Sequence, residues 1–137
     1  MKATPVKKAK SAETTETKLA QLLADSYALL GQTQYEELFL AIDELAERLR
    51  ALDVIAPGGL KTLASLSSIK ELPVKPHHAK DFVAHLLEGH EILNETAKKL
   101  RDLAEKSGDA ETQDLAIKRI QIHDKTIWMF RAFLKNP

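Results

Sequence analysis

Apolar residues recur at three- and four-residue steps along most of the chain, which is the spacing of one face of an α-helix. The first stripe starts at Thr17, and the second occupies residues 35–52. Two further stripes follow, over residues 77–106 and 109–134. The pattern predicts an all-α fold, a bundle of four main helices in one domain over residues 17–137, and it shows no internal repeat.

Leucine supplies most of the predicted core. The stripes turn the following residues inward: Leu19, Leu22, Leu23, Tyr27 and Leu30; Tyr35, Leu38, Ile42, Leu45, Leu49 and Leu52; Phe82, Leu86, Leu93, Ala97, Leu100 and Leu103; Leu115, Ile120, Ile127, Phe130 and Leu134. The second helix is predicted to end at residues 56–59 (APGG), and residues 60–72 suggest a short helix inside the connection that follows.

The lengths of the links predict part of the topology. Ser107 and Gly108 stop the third helix, and Asp109 is a plausible N-cap for the fourth, so these two helices form an antiparallel hairpin. The connection between the second and third helices, roughly 24 residues, is long enough to return along the bundle, which allows those two helices to run parallel.

Composition narrows the chemistry. Of the 137 residues, 44% are hydrophobic and 29% charged, and none is cysteine. Disulfides and thiolate-bound metals are therefore excluded, and a reducing, cytoplasmic setting fits best. No apolar run approaches the length of a membrane span, and the N-terminus lacks the apolar segment of a secretory signal.

Charge is distributed unevenly although the net charge is zero. Residues 1–18 carry five lysines against two glutamates, so the rest of the chain is net acidic. Residues 1–16 have almost no large apolar side chain, and they are predicted to be a disordered basic arm. Its lysines, Lys2, Lys7, Lys8 and Lys10, could contact nucleic-acid phosphates or could form a solubilising tail; the sequence favours neither.

Asp43 and Glu47 are the first candidates for chemistry. They lie four residues apart, so their carboxylates share one helix face, and two such oxygen donors suit Fe(II), Mn(II) or Mg(II). By spacing alone a solvated face is the commoner explanation, with Glu44 and Arg48 forming an i,i+4 ion pair.

The histidine and aromatic residues give little further evidence for a metal or ligand site. His85 and His90 do not share a face, no Glu-x-x-His pair occurs, and His123 is predicted to lie at a surface or interface. Trp128, Phe130 and Phe133 are more typical of a core or a subunit interface than of a ligand platform.

Four segments read together resemble the Dps family, the DNA-binding proteins from starved cells: LADSYALL, YEELFLAIDELAERLRAL, APGGLKTLASLSSIKE and HDKTIWMFRAFL. The resemblance runs from about Leu19 to Leu134. It implies a ferritin-like bundle, a homo-oligomeric cage of twelve subunits, oxidation of Fe(II) by hydrogen peroxide, storage of ferric iron and, often, DNA binding. It also implies that Asp43 and Glu47 are iron ligands across a two-fold interface, and that Asp109 and Asp114 line a pore through which iron enters.

One departure from the family lies between Thr33 and Tyr35. Relatives have there several helical turns that carry the histidine-bearing half of the iron site. The printed sequence omits a segment, or a deletion has shortened the hairpin, or the first two helices fuse through Gly31 and exchange between subunits. We favour the first explanation, because every other family feature is in place.

Two functions follow from the sequence. The first is an iron-oxidising storage cage that uses Asp43 and Glu47; the alternative is a DNA-condensing or scaffolding cage with a degenerate iron site. In either case the first two helices are too short to cover the last two. The residues predicted to be left uncovered, as an assembly or aggregation surface, are Phe82, Ile127, Trp128 and Phe130.

Overall fold

The computed structural model of the protein describes residues 15–21 and 35–135, and all regular structure within them is helical. Helix α1 covers residues 15–21, followed by α2 (Tyr35–Ala51), α3 (Leu60–Leu66), α4 (Ala79–Ser107) and α5 (Ala110–Lys135). The predicted all-α class is confirmed. Thr15 and Glu16 belong to α1 rather than to the arm; the rest of the arm, and the junction at Thr33, lie outside the described residues.

Helix α2 ends earlier than the sequence predicts. Asp53 adopts a left-handed conformation with φ of 66°, and the amide of Val54 donates to the carbonyl of Leu49 at 3.0 Å. This is the Schellman arrangement, in which a left-handed residue closes the last turn, and aspartate tolerates that conformation better than most residues. The predicted end at residues 56–59 is wrong because Asp53 already turns the chain.

Helices α4 and α5 form the predicted antiparallel hairpin. Gly108, with φ of 73°, closes α4, and the amide of Asp109 donates to the carbonyl of Ala104 at 2.9 Å. Asp109 then caps α5, since its carboxylate accepts from the amide of Thr112 at 3.0 Å. One short link therefore both ends α4 and starts α5.

The contacts of α2 with α5 fix its direction. Glu37, near the start of α2, binds Arg119, whereas Arg48, near its end, binds Asp109 at the start of α5. Helix α2 thus runs antiparallel to α5 and parallel to α4, as the long connection allows.

The core lies between α2 and the α4–α5 hairpin, with one contribution from α1 and one from α3. Its hydrophobic residues are Leu19, Leu38, Ile42, Leu45, Leu49, Leu63, Leu86, Leu93, Ala97, Leu100, Ala116 and Ile120. Leu52, Leu103, Leu115, Phe130 and Leu134, predicted to face inward, are only half-buried. Leu22, Leu23, Tyr27, Leu30 and the side chain of Tyr35 lie outside the described residues.

Two predictions about single side chains are wrong. Phe82 does not face the core, since 47% of it is exposed, and His123 is not a surface residue, since it is fully buried. Phe82 lies in the first turn of α4, beyond the level that α2 reaches within the described residues. His123 is buried because Arg119 and His90 provide its hydrogen-bond partners.

Within the described residues, α2 is much shorter than α4, as predicted. By the α-helical rise, the 17 residues of α2 span about 26 Å and the 29 residues of α4 about 44 Å. At the far end of the hairpin Phe82 and Trp128 are exposed, as that prediction has them, but Ile127 is buried and Phe130 is half-buried, so the uncovered surface is smaller than expected.

The predicted short helix in the connection is confirmed as α3, and it ends at Leu66 because Ser67 turns to an extended conformation. None of the helices in residues 15–21 and 35–135 has the length and apolar character that a membrane span requires.

Candidate metal centre

Asp43 and Glu47 lie on the outward face of α2, one helical turn apart, and both are exposed. The same face carries Leu40, 65% exposed, and Phe39, 53% exposed. No group of three or more histidine, aspartate or glutamate side chains that could hold a metal ion occurs within the described residues. The two carboxylates are therefore at most half of a metal site, and they face away from the subunit's own core.

The charged neighbours of this pair bind α5 instead of each other. Glu44 accepts from Lys118 at 2.6 Å, and Arg48 donates to Asp109 at 2.5 Å. The predicted Glu44–Arg48 pair is thus wrong, because α5 supplies a better-placed partner for each residue. No ion pair involving Asp43 or Glu47 occurs among the described residues, so this part of the chain leaves both carboxylates to solvent or to another subunit.

A groove of about 360 Å³ between α2 and α5 connects Glu47 to Asp114. Its charged lining residues are Glu44, Glu47, Arg48, Glu111, Asp114 and Lys118. The structure therefore brings one predicted iron ligand and one predicted pore residue to the same groove.

Asp109 and Asp114 differ in their surroundings. Asp109 accepts from Thr112 and Arg48, so both of its carboxylate oxygens are engaged within the subunit. Burial by itself would raise the pKa of Asp109, but the hydrogen bonds from Thr112 and the charge of Arg48 outweigh it and lower the pKa below its ordinary value. Asp114 is exposed and is the better placed of the two to meet an incoming cation. Lys2, Lys7, Lys8 and Lys10 lie outside the described residues.

A buried set of hydrogen-bonded polar side chains inside the bundle was not predicted from the sequence. Arg119, 1% exposed, binds Glu37 of α2 through both guanidinium nitrogens Nη1 and Nη2. Its Nη2 also lies 3.2 Å from Nε2 of His123, and Nδ1 of His123 lies 2.9 Å from Nδ1 of His90. The four-residue spacing of Arg119 and His123 was visible in the sequence, but their partners come from two other helices.

His90 and His123 are both held neutral at physiological pH. Burial, then the charge of Arg119, lowers the pKa of His90 to about 4, against a smaller opposing effect of Glu37. Burial, Arg119 and His90 together lower the pKa of His123 to about 2. The ring of His90 also packs edge-on against Phe130, with centroids 5.6 Å apart.

The part of the bundle interior formed by residues 15–21 and 35–135 does not fit a di-iron centre. Such centres use glutamates and Glu-x-x-His pairs that project inward from several helices. Around His90 and His123 the described residues provide a guanidinium cation, and the one nearby carboxylate, Glu37, already binds it. An iron cation placed there would be repelled by Arg119, so the outward pair on α2 is the only part of the predicted iron site that the described residues present.

Comparison with known proteins agrees with this architecture. Residues 18–137 match the family model of the ferritin-like domain. A DNA protection during starvation protein of Helicobacter pylori is 33% identical over 100 residues, which cover 73% of this chain and 69% of the relative. A low temperature-induced protein of Nostoc sp. is 31% identical over 143 residues, covering 86% of this chain and 78% of the relative.

The match with the Nostoc protein spans more residues than the whole of this chain contains. That relative therefore has residues without a counterpart in this chain.

Solved structures show the same fold. Antigen TpF1 of Treponema pallidum superimposes with a TM-score of 0.85 at 25% identity, covering 98% of this chain and 99% of the other. The Dps protein of Vibrio cholerae, described as a member of a broad superfamily of ferritin-like diiron-carboxylate proteins, superimposes with a TM-score of 0.84 at 23% identity, covering 98% of this chain and 100% of the other.

Proposed function

Because the chain belongs to the Dps family of ferritin-like proteins, we propose that it is the subunit of a homo-oligomeric cage that takes up Fe(II), oxidises it and stores ferric iron. The observation that carries the proposal is the outward placement of Asp43 and Glu47 beside the exposed apolar side chains of Phe39 and Leu40. An apolar surface next to two carboxylates suits a site that is completed when a second subunit packs against α2. A cytoplasmic dodecamer is the assembly we expect.

In this proposal Fe(II) is the substrate, and Asp43 and Glu47 bind and orient it. Their two negative charges favour the ion more strongly after oxidation, since an Fe(III) ion carries one more positive charge at the same site. Hydrogen peroxide is the proposed oxidant: it accepts two electrons, one from each of two Fe(II) ions, and with two protons leaves as two molecules of water. Asp114, which lines the same groove as Glu47, is the proposed contact for incoming iron.

The test is stopped-flow oxidation of Fe(II) by hydrogen peroxide. We expect Asp43→Ala and Glu47→Ala to slow the reaction about tenfold or more, because even outer-shell partners of metal ligands contribute that much. Asp102→Ala, which removes an exposed carboxylate on α4, is the matched control and should react like the wild type. Equal rates for wild type and Asp43→Ala would exclude this site.

A second candidate is a DNA-condensing or scaffolding cage whose iron site is degenerate. The lysines of residues 1–10 and the name of the Helicobacter relative support it. Gel shifts with the full chain and with residues 2–14 removed, each at two salt concentrations, test DNA binding. We expect binding that weakens with salt and with the truncation; a salt-insensitive shift that survives truncation would rule out the arm as the contact.

A further inference from the structure

The buried hydrogen bonds that link Glu37, Arg119, His123 and His90 have a fixed order of donors and acceptors. An arginine can only donate hydrogen bonds, so Nε2 of His123 accepts from Arg119 and the proton of His123 lies on Nδ1. That Nδ1–H donates to Nδ1 of His90, whose own proton therefore lies on Nε2. In both contacts, Arg119 with His123 and His123 with His90, a donor faces an acceptor only while both imidazoles are neutral.

One added proton breaks this arrangement wherever it binds. On Nε2 of His123 it faces the N–H of Arg119, so two donors oppose each other. On Nδ1 of His90 it faces the N–H of His123; if His123 moves its proton to Nε2 to relieve that clash, the clash with Arg119 returns. The protonated pair also adds a positive charge beside a buried guanidinium, where little solvent screens the repulsion.

The buried polar contacts end at Glu37 on α2, the helix that carries the candidate ligands Asp43 and Glu47. Glu37 lies in the first turn of α2, six residues before Asp43, and Arg119 binds it from the interior of the bundle. The other end of α2 is held separately, by Arg48 and Asp109. Loss of the Arg119 contact would therefore remove the ion pair at the first turns of α2, where Leu38 and Ile42 still pack in the core, and would leave the ion pair at its other end in place.

We propose that Arg119, His123 and His90 are positioning residues that hold the first turns of α2 through Glu37 only while both histidines are neutral, so that acidification releases this end of the helix. The effect on iron rests on the proposed function, since it requires Asp43 to be a ligand; the release itself does not. Mildly acidic conditions would then weaken iron binding at α2.

The surrounding charges support this assignment. Within the described residues, Glu37 from α2 and Arg119 from α5 are the charged groups that act on the imidazoles. Asp124 of α5 instead accepts from Asn94 at 2.7 Å, and Glu91 of α4 binds Arg131 on the outer face. The lowered pKa values of both histidines agree, since they show that the folded form opposes protonation.

Hydrogen exchange of backbone amides tests the release without iron. We compare residues 36–42 of α2 with residues 93–104 of α4 at pH 7 and pH 5, after correction for the intrinsic pH dependence of exchange. At pH 5 an exposed histidine is protonated while most carboxylates stay ionised. With the pKa of His90 moving from about 4 to 6.5 on opening, exchange in α2 should rise roughly 20-fold more than in α4.

Variants identify the groups responsible. His90→Gln with His123→Gln cannot titrate and should lose the pH response, whereas His85→Gln, which changes a half-buried histidine elsewhere on α4, should keep it. Glu37→Gln, which leaves both histidines in place and removes the charge that Arg119 binds, should loosen residues 36–42 already at pH 7. Equal pH responses of α2 and α4 in the wild type, or an unchanged response in the double variant, would overturn the proposal.

These experiments distinguish a failure of the positioning role from a failure of the proposed iron site. If acid releases α2 but Asp43→Ala oxidises Fe(II) normally at pH 7, the positioning role stands and the iron site on α2 fails. If Asp43→Ala is slow and α2 does not respond to acid, the iron site stands and the positioning role fails.

Discussion

Asp109 serves both helices of the hairpin. Its backbone amide completes the last turn of α4, and its carboxylate caps α5 through Thr112 and binds Arg48 of α2. Because both carboxylate oxygens have partners inside the subunit, the residue contributes to the fold whether or not it also faces a pore. The position of a side chain in a family motif therefore does not by itself define its role.

We expect Asp109→Ala to lower the free energy of unfolding by about 2–4 kcal/mol, because it removes an N-cap and leaves the part-buried Arg48 without its carboxylate. Asp109→Asn keeps the cap and should cost less. Urea unfolding measures both, with Asp114→Asn as the control, which should stay within about 0.5 kcal/mol of wild type.

The sign of the pH dependence follows from the lowered pKa of Asp109. Its contribution is present above the ordinary value of 3.8 and is lost as the pH falls through the folded-state pKa. The difference between wild type and Asp109→Asn should therefore shrink below pH 3.8; a difference that grows there would contradict the assignment.

At the scale of the elements, turns with left-handed residues decide where α2 and α4 end. Asp53 ends α2 and Gly108 ends α4, each with a Schellman pair of hydrogen bonds. The two residues differ in suitability, since only glycine enters this conformation without a steric penalty from Cβ.

Gly108→Ala should destabilise the protein by about 1–2 kcal/mol, the penalty of a left-handed conformation for an L-residue. No atom lies within 4 Å of the added Cβ, so the effect would come from the backbone alone. Gly58→Ala is the matched control, because Gly58 has equal space and no positive φ, and it should be neutral or slightly stabilising. Thermal unfolding of both variants distinguishes a backbone penalty from a general intolerance of alanine.

At the scale of the whole molecule, two groups of large apolar side chains are exposed among the described residues. Phe39 and Leu40 lie on the outward face of α2, and Trp128 and Phe133, 67% and 50% exposed, lie near the end of α5. The second surface belongs to the aromatic segment of α5, for which a core or a subunit interface, rather than a ligand platform, stays a prediction.

Leu40→Glu should shift the protein toward smaller assemblies, because it places a charge in the interface proposed around Asp43 and Glu47. Analytical ultracentrifugation measures the change. Val74→Glu places the same charge on a fully exposed residue of the connection before α4 and should leave the assembly intact. Equal assembly of wild type and Leu40→Glu would move the interface away from α2.

The sequence by itself determined helices α2 to α5 and the antiparallel hairpin of α4 and α5, because apolar periodicity and turn residues act over short distances. The family followed from the resemblance of four sequence segments, which periodicity alone does not provide. It also identified Asp43 and Glu47 as neighbours on one face, since helical geometry alone sets their spacing. It did not determine which charges pair, and the expected Glu44–Arg48 contact gave way to partners on α5. Only the tertiary structure joined Glu37, Arg119, His123 and His90, because the protonation state and burial of a side chain depend on groups that other helices bring to it.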